Sequence, residues 1–247
     1  MSIEFTTQSL ALDGPGAPVV LVELQHDLPV VGSDFFIVQF VRGLTAPDSV
    51  IVVRDALRFP LAMIDQSAAY KLLAFKISDG IADGVWWVDD YVYDENQVNI
   101  SFKSSGDAAG SGDPGAFTGS VRVADQPAAR NVIATALDAD PPYQLARAVS
   151  DAGNGQYTLE WQGYSGQMLI TVFDEYGVAH VNGEARGAGE RVHPTQYNGY
   201  TYHVVQSGTL GAEPAWPTTA DETVWSGTVQ LIAVPFYRPV SEGPFIV

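Results

Sequence analysis

The chain has no cysteine, few cations and no long apolar run. Without cysteine there are no disulfide staples and no thiolate ligands for a metal. Lysine and arginine together number 12 against 29 acidic residues, a formal net charge of −17. Such a field repels a phosphate backbone, so no nucleic-acid partner is expected, and anionic membrane surfaces are disfavoured on the same ground. No stretch approaches the roughly 20 apolar residues of a membrane-crossing helix. Met1-Ser2-Ile3-Glu4-Phe5 offers neither a basic n-region nor an apolar h-region. These absences predict a protein folded in the cytoplasm without membrane insertion, reaching a surface only by release in some other form. Internal repeats are missing as well.

Catalytic signatures are also lacking. There is no G-x-S-x-G elbow, no P-loop and no dinucleotide-binding glycine fingerprint, and the four histidines (His26, His180, His193, His203) form no HExxH string. Gly163-Tyr164-Ser165-Gly166 is only superficially similar to the elbow, because its surroundings read as a turn between strands. A pair of carboxylates for glycoside hydrolysis is imaginable among so many acids and therefore carries no weight. The expectation is a non-enzymatic protein without a cofactor. Asp89, Asp90, Asp94, Glu95 and Asn96 supply oxygen ligands of the kind calcium takes, but their spacing matches no EF-hand loop, so solvated turn charges are the preferred reading.

What is present is strand grammar. Hydrophobic residues make up 46% of the 247, enough for one large β domain or two smaller ones. Runs at Val19 to Leu24, Phe35 to Val41, Val50 to Val53, Val85 to Val92 and Val98 to Phe102 are β-branched and aromatic, with Gly, Pro, Asp and Ser between them. Trp86 and Trp87 are adjacent and so face opposite sides, one toward a core and the other toward a subunit interface. Two segments have helical composition, Met63 to Ile77 and Gln126 to Leu137. Tyr157 to Trp161 alternates, and Met168 to Phe173 reads as its hairpin partner across Gln162 to Gly166. Ser104 to Gly115 has no large apolar side chain and reads as a linker or long loop.

The most informative stretch runs from Gly189 to Ala233. Asn198-Gly199 is a two-residue hairpin signal between Tyr197 and the strand Tyr200 to Val205. On that strand Tyr200, Tyr202 and Val204 share one face, and Thr201, His203 and Val205 the other. A loop from Ser207 to Pro217 then leads to Trp225 and a last turn and strand. The residues Asn198, Gly199 and Tyr202, then Gly208, Thr209, Gly211, Glu213, Pro214, Trp216 and Pro217, then Val224, Gly227, Thr228 and Val229 follow a pattern. In these residues the stretch resembles a small β module of tail fibre, tail tip and other virion proteins of tailed bacteriophages, and it is similar to three-stranded chitin- and cellulose-binding modules. About 45 residues are covered. Trp225 departs from the pattern, where a polar residue is usual, and Gln230-Leu231 replace its final aromatic.

The resemblance implies a virion structural protein associated with the tail tip, fibre or baseplate periphery. It would assemble with itself and with other virion proteins, and an adhesion module would meet a host surface glycan. Trp216, Trp225, Tyr197, Tyr200 and Tyr202 are the candidates for glycan stacking, and the tryptophans serve equally well as a miniature core. A capsid decoration protein and an accessory of a carbohydrate-active enzyme are the alternatives. The expected architecture is mainly β: a β-sandwich-like domain over residues 1–104, a linker or loop over 105–116, a second β region over 117–188, and a three-stranded module over 189–247. The last of these ends in a proline-rich arm lying on its own domain or on a neighbouring subunit.

Overall fold

A computed structural model describes residues 2–5, 21–30, 35–53, 56–78, 81–105, 113–196 and 198–247. The chain is mainly β. It opens with β1 (Ser2–Phe5), β2 (Leu21–His26), β3 (Phe35–Val41), β4 (Ser49–Val53) and β5 (Leu57–Pro60). After a single 3-10 turn at Leu61–Met63 come β6 (Tyr70–Ser78), β7 (Ile81–Tyr91), β8 (Asn99–Ile100) and β9 (Lys103–Ser105). The middle holds β10 (Pro114–Val123), β11 (Gln126–Pro127), β12 (Asn131–Ala136), β13 (Tyr143–Val149), β14 (Gln156–Gln162) and β15 (Gln167–Phe173). There follow β16 (Val178–Ala179), β17 (Ala185–Arg186), β18 (Arg191–His193), β19 (Tyr200–Gln206) and β20 (Gly208–Thr209). The chain finishes with β21 (Thr223–Ser226), β22 (Val229–Pro235) and β23 (Val240–Ile246).

Contacts divide the chain into two compact units, a body of residues 1–173 with 238–247 and a second unit of residues 174–237. The second unit therefore begins and ends earlier than the 189–247 stretch read from the sequence.

In the body, β4-β3-β6-β7-β9 form one sheet and β5-β2-β8 another. Phe36, Val38 and Phe40 of β3 meet Val22, Leu24, Leu57, Phe59 and Ile100 in a shared core. Aromatic edges lock it, with Phe40 5.0 Å from Phe59 and 5.8 Å from Tyr70 between ring centres. Fully burying a side chain of this size contributes roughly 1.5–3 kcal/mol. The opposite face of β3 is buried too, and there the Gln39 amide donates to the hydroxyls of Thr171 on β15 and Ser241 on β23, the latter at 2.7 Å. Thr171 and Ser241 are themselves 2.8 Å apart. The sheet β13-β12-β15-β23 thus covers this face, and its far side meets β10 through Phe117 and Phe245, 5.1 Å apart.

The two expected helices are strands. Met63 to Ile77 starts at the last residue of the 3-10 turn and takes in β6 up to Ile77, and β6 lies between β3 and β7 at the centre of its sheet. Gln126 to Leu137 holds β11 and β12, with Val132–Ala136 buried throughout. A strand covered on both faces shows no alternation, and tertiary burial overrides the helical propensity of Ala, Leu and Lys. Trp86 and Trp87 are both used within the body, Trp86 against Phe36 at 5.2 Å and Trp87 buried with its indole N–H on Asp89.

The expected hairpin of Tyr157 to Phe173 is not one. Tyr157, Leu159 and Trp161 are buried and Thr158, Glu160 and Gln162 exposed, as the alternation predicts. Yet β14 pairs with β10, while β15 pairs with β12 and β23. The turn carries the chain from one sheet to another. Tyr164 fixes it through hydrogen bonds to the Asp138 carboxylate and the Gln167 carbonyl. Of the expected linker, Ser105 closes β9 and Pro114 opens β10, and residues 106–112 lie outside the described residues. The expected arm is β23, an edge strand on β15 of the chain's own body.

Candidate functional site

The second unit is a five-stranded sheet, β16-β18-β19-β22-β21, with β17 and β20 paired beside it. This replaces the expected three-stranded module. Its core is Val192, Tyr202, Val204, Leu210, Val229, Leu231 and Ala233. The Asn198-Gly199 signal does not make a two-residue hairpin, because β18 meets β19 at Arg191↔His203 and Val192↔Tyr202. Gly199 does take a positive φ of 87°. Asn198 accepts a hydrogen bond from the Tyr200 backbone N–H and donates its amide to the Tyr202 hydroxyl at 2.7 Å.

Half of the residues that carry the resemblance, Gly208, Thr209, Gly211, Glu213, Trp216, Gly227 and Thr228, form a lock between the 207–217 loop and the β21–β22 turn. That turn has two central residues, Gly227 and Thr228, since Ser226 pairs with Val229. Gly227 sits at φ +60°, the conformation a type II′ turn asks of its first central residue. A Cβ there would lie 2.3 Å from the Thr209 carbonyl and 2.5 Å from the Gly211 nitrogen. Gly208 and Gly211 are as tightly placed, against Thr228 and Gly227. With the backbones this close, Thr209 N–H donates to the Thr228 hydroxyl (2.8 Å) and Thr228 N–H to the Thr209 carbonyl (3.0 Å).

Glu213 and Trp216 close the other half of the lock. The Glu213 carboxylate accepts from the Thr195 backbone N–H and hydroxyl, both 2.9 Å, and from the Trp216 indole N–H at 2.8 Å. Burial pushes this carboxyl up, but those hydrogen bonds and the positive charge His180 can carry together hold it below its ordinary value. The Trp216 ring lies 4.3 Å from Tyr202 and 5.6 Å from His180. The Tyr202 hydroxyl donates to the Pro217 carbonyl at 2.6 Å.

The five glycan-stacking candidates are therefore not one platform. Tyr202 is wholly buried, at 0% exposure, which corrects the expectation that it can meet a sugar. Trp216 and Tyr200 are half-buried against the same core. Tyr197 lies outside the described residues. Trp225 stands apart, 51% exposed on the edge strand β21. Its register partner Gln230 alternates with Val229 and Leu231, which point into the core, so Trp225 occupies the opposite face from Tyr202. Burial of a four-residue strand between two loops leaves no periodicity from which sequence reasoning could have told that face.

Two of the three histidines of this unit, His180 and His193, are buried. His180 and His193 do come together, the His180 N–H donating to the His193 carbonyl at 2.9 Å, but their rings engage Ser226 and the Pro194 carbonyl respectively. His193 stacks on Tyr176 at 4.1 Å. His203 lies near Arg191, which is bonded to Asp174 at 2.9 Å. Burial, then the Arg191 charge, hold the His203 imidazole below its ordinary value of 6.5, against the opposing pull of Asp174. With the folded value the lower, the unfolded chain binds the proton first. This contribution to stability is complete above the unfolded value and is lost as pH falls below it. Urea unfolding of the second unit is expected to show a lower midpoint at pH 5.5 than at pH 7.5, and His203→Gln to flatten that difference. The Glu213 contribution disappears only at lower pH, below the ordinary glutamate value of 4.5.

Elsewhere, two members of the acidic run at 89–96 have partners. Asp89 pairs with Lys71 and Lys103, and Asp94 accepts from the Asn96 backbone and side-chain amides. Among the described residues no three His, Asp or Glu side chains group as metal ligands, and no helix is long and apolar enough to cross a membrane. An open groove of about 490 Å³ lies over Pro114, Gly115, Ala116, Glu160, Trp161 and Gln162. Its lining offers one carboxylate, Glu160, where glycoside hydrolysis takes two. No known protein family, curated protein or solved structure matches this chain.

Proposed function

We propose that this chain is a non-enzymatic structural protein of a tailed-phage particle, tail-associated, whose second unit meets a glycan of the host surface. The observation that carries the reading is how that unit is attached. Residues 174–237 leave the body after β15 and return before β23, two strands paired to each other at Val172↔Val240. The unit has its own core and hangs from what is otherwise a hairpin connection. A compact element joined by both ends at neighbouring points suits display, because the sheet that carries it is not interrupted.

Two further features support the reading. Among the residues on which the resemblance to phage tail modules rests, Gly208, Thr209, Gly211, Glu213, Trp216, Gly227 and Thr228 make the lock, which is a reason to read them together. The charge of −17 keeps a high-copy protein apart from nucleic acid and favours solubility. The body, with its stacked sheets, would make the contacts with other virion proteins and with further copies of the chain. Light scattering on the purified protein at low and high concentration tests this. A stable trimer, as in fibres, or hexamer, as in tail rings, is expected. A monomer at every concentration would overturn the assembly half of the reading.

A further inference from the structure

We infer that the ligand surface of the second unit is the sheet face opposite the lock, centred on Trp225, and that it takes an uncharged pyranose unit of an extended glycan. This deepens the adhesive reading above and rests on it. Trp225 is the only aromatic side chain among the described residues with more than half of its surface open. It lies on β21, the edge strand of its sheet among the described residues. Across the sheet it is followed by Gln230 on β22 and then Gln206 on β19, in register. Val205, 49% exposed, sits at the register break between Val204 and Gln206. Thr223 and the half-buried Ile232 form the adjoining row, which continues through His203 on β19 to Arg191 on β18.

The chemistry of this face selects among flat ligands. An indole face stacks on a nucleobase or on the apolar side of a sugar ring. A nucleic acid brings phosphates that need cations; the six residues around the indole are uncharged, and Arg191, at the far end of the adjoining row, is paired with Asp174 in a chain of net −17. A protein partner needs roughly 800 Å² on each side with a cluster of apolar anchors. Here one tryptophan and one valine stand open. A pyranose fits the remainder. Adjacent strands lie about 4.8 Å apart, so the Gln230 and Gln206 amides fall about one and two strand spacings from the indole, within reach of the hydroxyls of a stacked ring and its neighbour.

The test uses the full chain titrated calorimetrically with uncharged hexasaccharides, namely cellohexaose, chitohexaose, maltohexaose and isomaltohexaose. At least one is expected to bind, with Trp225→Ala weakening it by about tenfold or more, Gln230→Ala weakening it less, and Trp216→Phe leaving it unchanged. Binding that survives Trp225→Ala but is lost in Trp216→Phe would place the site on the lock face and overturn this inference, while the adhesive reading stands. No heat with any of the four sugars at about 10 mM, a concentration that reveals even millimolar affinity, would also overturn it. A mass by light scattering that drops on Trp225→Ala would show the face to be a contact between copies, with the same consequence.

Discussion

Replacing Gly227 with alanine is expected to unfold the second unit and leave the body folded. The residue holds φ +60°, which costs an L-amino acid about 1–2 kcal/mol. The added methyl would also meet two backbone atoms of the 209–211 segment at 2.3 and 2.5 Å. Overpacking of this kind costs a further 1–3 kcal/mol, roughly, and backbone has little freedom to yield. A unit this small has only about 3–5 kcal/mol to lose. Gly183 is the control. It too has a positive φ, 87°, but nothing lies within 4 Å of a Cβ placed there. Gly183→Ala should therefore lower stability by only about 1–2 kcal/mol. Hydrogen exchange resolved by peptide reads both variants, with residues 174–237 exchanging freely in Gly227→Ala and protected in Gly183→Ala. Unfolding the unit turns it into a longer loop in the body's chain, and the closure entropy of a loop grows only slowly with its length. Protection across 174–237 in Gly227→Ala would mean that the lock does not hold the unit together.

Removing residues 238–247 is expected to destabilise the body severely. The deletion strips β23 from β15 and leaves an unpaired edge on a strand whose residues Met168 to Phe173 are buried. It takes Phe245 from Phe117, and it takes the Ser241 hydroxyl from Gln39 and Thr171. Each buried polar group left without a partner costs roughly 1–3 kcal/mol, and the lost apolar burial adds to this. The sum is of the same order as the whole stability of a domain, about 5–15 kcal/mol. Loss of soluble protein, or a thermal transition lowered by more than about 10 °C, is the expected outcome. An unchanged transition would show that β23 contributes nothing to the fold.

The strands were legible where the sequence was unambiguous in composition. Phe35 to Val41 and Val50 to Val53 have no other reading. Tyr157 to Trp161 even revealed which residues face inward. The failures have a common cause. β6 and β12 are covered on both faces, so they lack the alternation that marks a strand, and their Ala, Leu and Lys content imitates a helix. Turn chemistry at Gln162 to Gly166 is the same whether the chain returns to its own sheet or crosses to the next, so the partner of β14 was not readable locally.

The site was legible as a set of residues and not as a role. Gly208, Thr209, Gly211, Glu213, Trp216, Gly227 and Thr228 stood out, but what joins them is contact between segments 15 to 19 residues apart, such as Gly211 with Ser226 and Thr209 with Thr228. Glycines there looked like flexible loop and prove to be points of close backbone approach. Aromatics cluster among these residues, which is what suggests a stacking platform there. Tyr202 and Trp216 are occupied in the lock, and Trp225, the departure from the phage pattern, is the aromatic left open.

The most direct test of the whole account is immunogold electron microscopy, with an antibody raised against the purified chain, of the particles released by cells that produce it. The account predicts gold at the distal end of the tail. Gold spread over the capsid would assign the chain to the capsid lattice instead, and label absent from every particle would contradict a virion role altogether.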